Sequence, residues 1–172
     1  MNVFVTGGTG LIGRRLVSAL LARGDSVVSL SRKPGEARAG FTPVVGDPSV
    51  PGEWLDQLSA CDAVIHLAGE PIAGKRWNAE YLARVRSSRV DSTTLIAETL
   101  AKGGPKVFVS GSAVGIYGAN SGDAVMTETS PPANDVLGAM SVAWEAAAEP
   151  ARAAGVRVVH PRTGIVLDPA GG

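Results

Sequence analysis

The chain has 172 residues, 45% hydrophobic and 19% charged, enough for one domain with a substantial core. Its 16 Lys and Arg balance 16 Asp and Glu, and this zero formal charge argues against general binding to nucleic acid or acidic membranes, which need a basic excess. The single cysteine, Cys61, allows no disulfide framework or cysteine metal cluster and reads as a small core residue.

The opening MNVFVTGG has no charged segment leading into an apolar run, so it reads as no signal peptide. No apolar run is long enough to span a bilayer, and a cytoplasmic protein is expected. NVFVTG (2–7) reads as a strand. In LIGRRLVSALLARG (11–24), Leu11, Ile12, Leu16, Leu20 and Leu21 recur at helical spacing, with a stop at Gly24. SVVSLSR (26–32) is a second strand and FTPVVGD (41–47) a weaker third. DAVIHLAG (62–69) is a continuous apolar strand of the kind buried on both faces of a parallel sheet. Residues 79–101 read as a long helix. KVFVSGS (106–112) and VRVVHPR (156–162) are two more strands. Between them a helix starts near Asp135, with Asn134 or Asp135 as its N-cap, and Pro150 is expected to bend or end it.

This alternation predicts an α/β domain over 1–172: a Rossmann-type, doubly wound parallel sheet with helices on both faces and ligands beyond the carboxyl ends of the strands. The sequence stops at DPAGG (168–172), just after its last strand, so no separate substrate domain is expected.

VFVTGGTGLIGRRL joins a strand, a Gly-rich turn and a helix start. Gly8-x-Gly10-x-x-Gly13 and Gly7-x-x-Gly10-x-x-Gly13 both satisfy dinucleotide fingerprints. A turn without side chains lets the backbone approach a pyrophosphate, whose charge the helix N-terminus stabilises, and Gly13 lets helix and strand pack closely. An NAD site ordinarily ends its second strand with an acid that bonds the ribose 2′-OH. Here that strand ends Ser31, Arg32, Lys33. A guanidinium suits a 2′-phosphate, so NADP is expected over NAD.

Together, TGGTGLIG, HLAGEPIAGKRW, SGSAVGIYG and PRTGIVL make the chain resemble the short-chain dehydrogenase/reductase superfamily, in its extended or atypical branch. Within that branch they resemble the epimerase-family, nucleoside-diphosphate-sugar-epimerase-like proteins. Such proteins continue into a C-terminal region that shapes the substrate site, and the resemblance implies that this region is absent here. It also implies that Gly7, Thr9, Gly10, Leu11 and Ile12 lie along the pyrophosphate, that Ser31 and Arg32 meet the 2′-phosphate, and that Leu67 and Ala68 pass beside the adenosine half. Arg89 would reach the phosphates or ribose, or else be a surface helix arginine. Ser110, Gly111 and Ser112 would lie beside the nicotinamide ribose, and Thr163 to Val166 would offer backbone groups to the nicotinamide amide.

In this superfamily a Tyr is the proton donor or acceptor, a Lys four residues on lowers its pKa, and a Ser orients the substrate oxygen. Ser112 matches the Ser. Aligning Glu145 with the Glu that follows the family's pair puts Leu137 at the Tyr position and Ser141 at the Lys position; neither can do the task. Tyr117 is the best substitute, or else a packed phenol. Glu70 and Arg76, with Lys75 and Trp77, form a loop after the fourth strand that is either a substrate contact or a solvated surface. Trp144 reads as core rather than a ligand contact, His66 and His160 read as satisfied core residues, and no metal-ligand spacing is present. Two readings follow. One is an NADP(H)-dependent oxidoreductase or epimerase-like enzyme with atypical acid–base groups, acting on a small-molecule carbonyl or alcohol such as a sugar nucleotide. The other is a non-catalytic dinucleotide-binding sensor or interaction module. The sequence leaves the oligomeric state open.

Overall fold

The computed structural model describes residues 1–118 and 122–168, so of the closing DPAGG only Asp168 is described. Six parallel strands form the main sheet in the order β3-β2-β1-β4-β5-β7. They are β1 (Asn2–Thr6), β2 (Ser26–Ser31), β3 (Phe41–Val45), β4 (Ala63–His66), β5 (Val107–Ser110) and β7 (Arg157–Val159). A separate two-stranded pair joins β6 (Ser112–Ala113) to β8 (Arg162–Thr163). The helices are α1 (Leu11–Ala22), α2 (Trp54–Ser59), α3 (Ala79–Ala101), α4 (Val136–Ala146) and α5 (Glu149–Ala153). This is the doubly wound parallel architecture expected from the alternation of strands and helices.

Strand alternation distributes the helices over two faces. Phe4, Val64 and Phe108 point to one face, where Trp54 and Leu58 of α2, Ile96, Ala97 and Leu100 of α3, and Ala151 of α5 build the larger core. Val3, Val5 and Val27 point to the other, where Val17 and Leu20 of α1 cover them. That second face is covered unevenly, which corrects the expectation of a fourth strand buried on both sides. Ile65 of β4 is half-buried, and with Val109 it lines an open apolar hollow of about 490 Å³ beside Leu11 and Leu16.

Register sets the site. Thr6 pairs with Leu30 and His66, and His66 pairs with Ser110, so these strands end at one edge of the sheet. The segments that follow them, at Gly7, Arg32, Leu67 and Gly111, therefore emerge side by side.

The helix near Asp135 differs in its far end. Asp135 is the N-cap, its Oδ1 accepting from Gly138 N–H at 2.7 Å. Helix α4 stops at Ala146, whose carbonyl an imino nitrogen at Pro150 cannot serve, and Pro150 instead sits in the first turn of the separate α5. The six-residue α2 is too short to show a period and was not expected from sequence.

Candidate functional site

The glycine turn forms the floor of the site. Gly7 has φ +72°, and a Cβ there would meet Ala68 N and the Leu67 carbonyl carbon at 2.7 Å. At Gly13 a Cβ would stand 2.1 Å from the Gly7 carbonyl oxygen, so nothing larger allows α1 to approach this closely. No side chain caps α1, and its ladder begins with Arg14 N–H donating to Gly10 C=O at 2.9 Å. The amides of Leu11, Ile12 and Gly13 precede that bond, at the positive end of the helix dipole. A backbone cradle that a Cβ would fill, ending in an uncapped helix, fits the pyrophosphate of a dinucleotide.

Besides the apolar hollow that Leu11 and Ile12 also line, two concavities lie near this turn. The smaller, about 120 Å³, is lined by Arg32, Asp47, Ser49, Ala68, Gly69, Glu70 and Ser88. Ser49 donates to Asp47 Oδ1 from its backbone N–H at 2.9 Å and from its hydroxyl at 2.5 Å, and these bonds, outweighing partial burial, hold the Asp47 carboxyl below its ordinary value. Asp47 and Ser49 are site residues that sequence reasoning missed; their signal was the end of the third strand, in the order Gly46-Asp47. Ser31 accepts from Lys33 N–H at 3.2 Å beside this pocket without lining it. The larger cleft, about 340 Å³, is lined by Gly7, Gly10, Leu11 and Ile12 at one side and by Leu67, Gly111, Ser112, Trp144, Thr163 and Val166 elsewhere.

The structure thus divides the residues singled out in sequence. Arg32, Ala68 and Glu70 share the smaller pocket. The turn, Leu67, Gly111, Ser112, Thr163 and Val166 share the larger cleft. Thr9 is exposed and Arg76 stands exposed on its loop, and neither lines the two concavities. Trp77 is half-exposed there, its Nε1–H donating to the Ile72 carbonyl at 2.9 Å. Arg89 is turned inward. Its Nη1 donates to the carbonyls of Glu70 at 2.9 Å and Val85 at 3.0 Å, so it braces the Glu70 loop, and burial pulls its pKa below the ordinary value.

Behind the cleft lies a buried polar chain. Ser92 Oγ–H donates to the Ser88 carbonyl at 2.7 Å, so it accepts from His66 Nε2–H at 2.9 Å. His66 Nδ1 then accepts from Thr6 Oγ1 at 2.6 Å, and Thr6 Oγ1 accepts from Ala68 N–H at 3.3 Å. Burial, aided by the charge of Arg89, lowers the His66 pKa to about 4, so the ring is neutral at pH 7. His66 is the satisfied core histidine expected. His160 is not: its Nδ1 contacts the Ser110 carbonyl at 3.3 Å, but Nε2 is buried without a partner among the described residues, as is Ser110 Oγ. Both atoms sit where β5 and β7 end, and Ser110, fully buried, lies behind the cleft rather than on its wall.

Ser112 and Tyr117 meet through two residues that sequence reasoning did not place together. Ser112 Oγ–H donates to Glu145 Oε1 at 2.6 Å. Arg162 holds the same carboxylate at two points, Nε to Oε1 and Nη2 to Oε2, both 2.9 Å. Its Nη1 donates to the Tyr117 hydroxyl at 2.6 Å and to the Glu128 carbonyl at 3.1 Å. Burial pushes the Glu145 carboxyl up, but the bonds from Arg162 and Ser112 outweigh it and leave it below its ordinary value. Arg162 is raised by the same bond to Glu145 and by Tyr117. The pairing of β6 with β8 brings this about by setting Ser112 opposite Arg162.

Helix α4 carries Glu145 and Trp144 in its last turn. Its first turns pack against the 3-10 segment Val114–Tyr117: a Cβ at Gly115 would lie 3.5 Å from Leu137 Cβ and 4.0 Å from Ser141 Oγ. No Tyr or Lys faces the cleft from this helix.

Residues 3–166 match the NAD dependent epimerase/dehydratase family. An epimerase family protein of Mycobacterium bovis is 37% identical over 171 residues, which cover 99% of this chain and 55% of that protein. Among solved structures, a nucleoside-diphosphate sugar epimerase from Corynebacterium glutamicum is 38% identical with a TM-score of 0.85, covering 100% of this chain and 35% of the other. The human epimerase family protein SDR39U1 (isoform 2), solved with NADPH, is 34% identical with a TM-score of 0.79, covering 100% of this chain and 56% of the other. The chain spans about half the length of the curated relatives it matches.

Proposed function

The chain belongs to the NAD dependent epimerase/dehydratase family, and from that premise we propose that it is an NADP(H)-binding oxidoreductase or epimerase-like enzyme whose acid–base groups are not a Tyr-x-x-x-Lys pair. The observation that carries the cofactor reading is Arg32, which lines the pocket beyond the second strand where an NAD site would present an acid. NADPH in the human relative supports it. Bound there, the cofactor would supply or take a hydride.

The chain's own groups divide the remaining work. The amides at the head of α1 would hold the pyrophosphate, and the Arg32 guanidinium would suit the 2′-phosphate. Ser112 has committed its one proton to Glu145, so it offers lone pairs to the cleft and suits a substrate hydroxyl that donates. Tyr117 accepts from Arg162, which leaves its own proton to give to a developing alkoxide. A small carbonyl or alcohol fits these roles, and a sugar nucleotide is the class that the Corynebacterium relative's name indicates.

Calorimetric titration of both cofactors tests the binding. NADP is expected to bind more tightly than NAD, and Arg32→Glu to weaken NADP more than NAD; equal affinities sink the preference. Single-turnover NADPH oxidation with sugar-nucleotide and simple ketone panels tests the chemistry. Ser112→Ala and Tyr117→Phe should each lower the rate about 10²–10⁴-fold while leaving NADPH affinity intact.

A second reading is favoured by one observation. Leu137 and Ser141 pack against Gly115, so the helix that carries the family's acid–base pair gives none here. A dinucleotide-binding sensor or interaction module would bind NADPH tightly and show no turnover with any member of those panels.

A further inference from the structure

Trp144 lies one turn beyond Ser141 on α4, and three residues, two of them on α3, surround its ring. Its Nε1–H donates to Thr93 Oγ1 on α3 at 3.1 Å. The Arg89 guanidinium lies 5.2 Å from the ring centroid. Gly111, just past β5, comes so close that a Cβ there would stand 3.1 Å from Cζ2 and 3.3 Å from Cη2. The residue is 9% exposed and nonetheless lines the larger cleft beside Ser112. A dinucleotide has two halves, and the two concavities lie near the turn that suits its pyrophosphate. With Arg32 in the smaller pocket claiming the 2′-phosphate end, the larger cleft is left for the nicotinamide end.

Resting on the NADP(H) reading above, we propose that Trp144 walls the subsite for the nicotinamide half of the cofactor. The indole offers a rigid apolar surface to a planar heteroaromatic amide, and it is already held in place by Thr93 and Arg89, so little side-chain freedom is lost on binding. Helix α4 then serves the site from its last turn, with Trp144 and Glu145 side by side, instead of from the turns that carry Leu137 and Ser141.

The test compares two ligands that share the 2′-phosphate end and differ at the other. NADPH has the nicotinamide half; 2′,5′-ADP lacks it. Titrating each by calorimetry into the parent, Trp144→Phe and Trp144→Leu should show NADPH weakened about five- to tenfold by leucine and less by phenylalanine. Binding of 2′,5′-ADP should stay within twofold. Equal weakening of both ligands would mean general loosening of the fold and overturns the proposal, as does unchanged NADPH affinity in the leucine variant. A mutation-free measurement covers the case in which variants do not fold. The Trp144 indole N–H resonance of the parent should move with NADPH and stay put with 2′,5′-ADP; the same displacement with both, or none with either bound, overturns the assignment. A parent that binds neither ligand defeats the NADP(H) reading itself, whereas a parent that binds both with Trp144 indifferent defeats only this one.

Discussion

Acid should loosen this fold through His66 well before its carboxylates titrate. The ring is fully buried, its Nε2–H is given to Ser92, and its Nδ1 lone pair receives the Thr6 hydroxyl. A second proton on Nδ1 would face the donor Thr6 and add a charge near Arg89, with no water to solvate it. Burial and Arg89 accordingly depress the pKa from 6.5 to about 4. The sign follows from linkage: between these values the unfolded chain binds a proton that the folded chain refuses. The stabilisation is therefore whole above pH 6.5 and is lost as pH falls towards 4. Each pH unit across this window is worth about 1.4 kcal/mol, so roughly 2 kcal/mol is lost by pH 5 and about 3 kcal/mol by pH 4. Urea unfolding at steps from pH 7.5 to pH 5 measures this, with His66→Gln as the reference because it keeps polar contacts but cannot titrate. The variant should be less stable at pH 7.5 yet show a flatter dependence over the window, the residual slope coming from His160, whose pKa burial also lowers. Parallel slopes in the two proteins, or a His66 NMR titration centred near 6.5, would refute the reasoning. Since Thr6 precedes Gly7 and receives Ala68 N–H, NADPH affinity should decline over the same pH range.

Two further perturbations probe the site. Gly13→Ala puts a methyl 2.1 Å from the Gly7 carbonyl oxygen, against backbone that cannot yield cheaply; we expect a loss of about 1–3 kcal/mol or more by thermal unfolding, and loss of NADPH binding, and a variant that stays stable and binds normally would show the turn is not the phosphate cradle. Glu145→Gln removes the charge that Arg162 holds at two points; urea unfolding should report a loss of about 1–3 kcal/mol at pH 7 that shrinks as pH falls below the ordinary carboxylate range, since a depressed carboxyl stabilises only while ionised.

The elements were legible because their signals are local. The helix read at 79–101 is α3 residue for residue, and the structure adds its cap, Asn78, whose side chain accepts from Tyr81 N–H. The strand, glycine turn and helix of the opening residues were legible for the same reason: Gly13 answers to a steric demand set by Gly7 and Gly8, and Gly7 to a positive φ in the turn itself, although the atoms that leave no room for a Cβ at Gly7 belong to the distant Leu67 and Ala68. What local pattern could not supply was pairing across the chain. Ser112 and Glu145 are 33 positions apart, Glu145 and Arg162 are 17, and Tyr117 and Arg162 are 45, and no period links them. Their meeting depends on the register of two-residue strands, β6 against β8, too short to leave a pattern in the sequence. Trp144 shows the same limit: in sequence it reads as core rather than a ligand contact, and only packing sets it beside Gly111 and Ser112 in the lining of the cleft. Glu70 and Arg76, neighbours on one loop, part company likewise: Arg89 donates to the Glu70 carbonyl and Glu70 lines the Arg32 pocket, while Arg76 stays exposed. Hydrophobic period and turn chemistry act along the chain, whereas a site is made of side chains that only packing brings within hydrogen-bond reach.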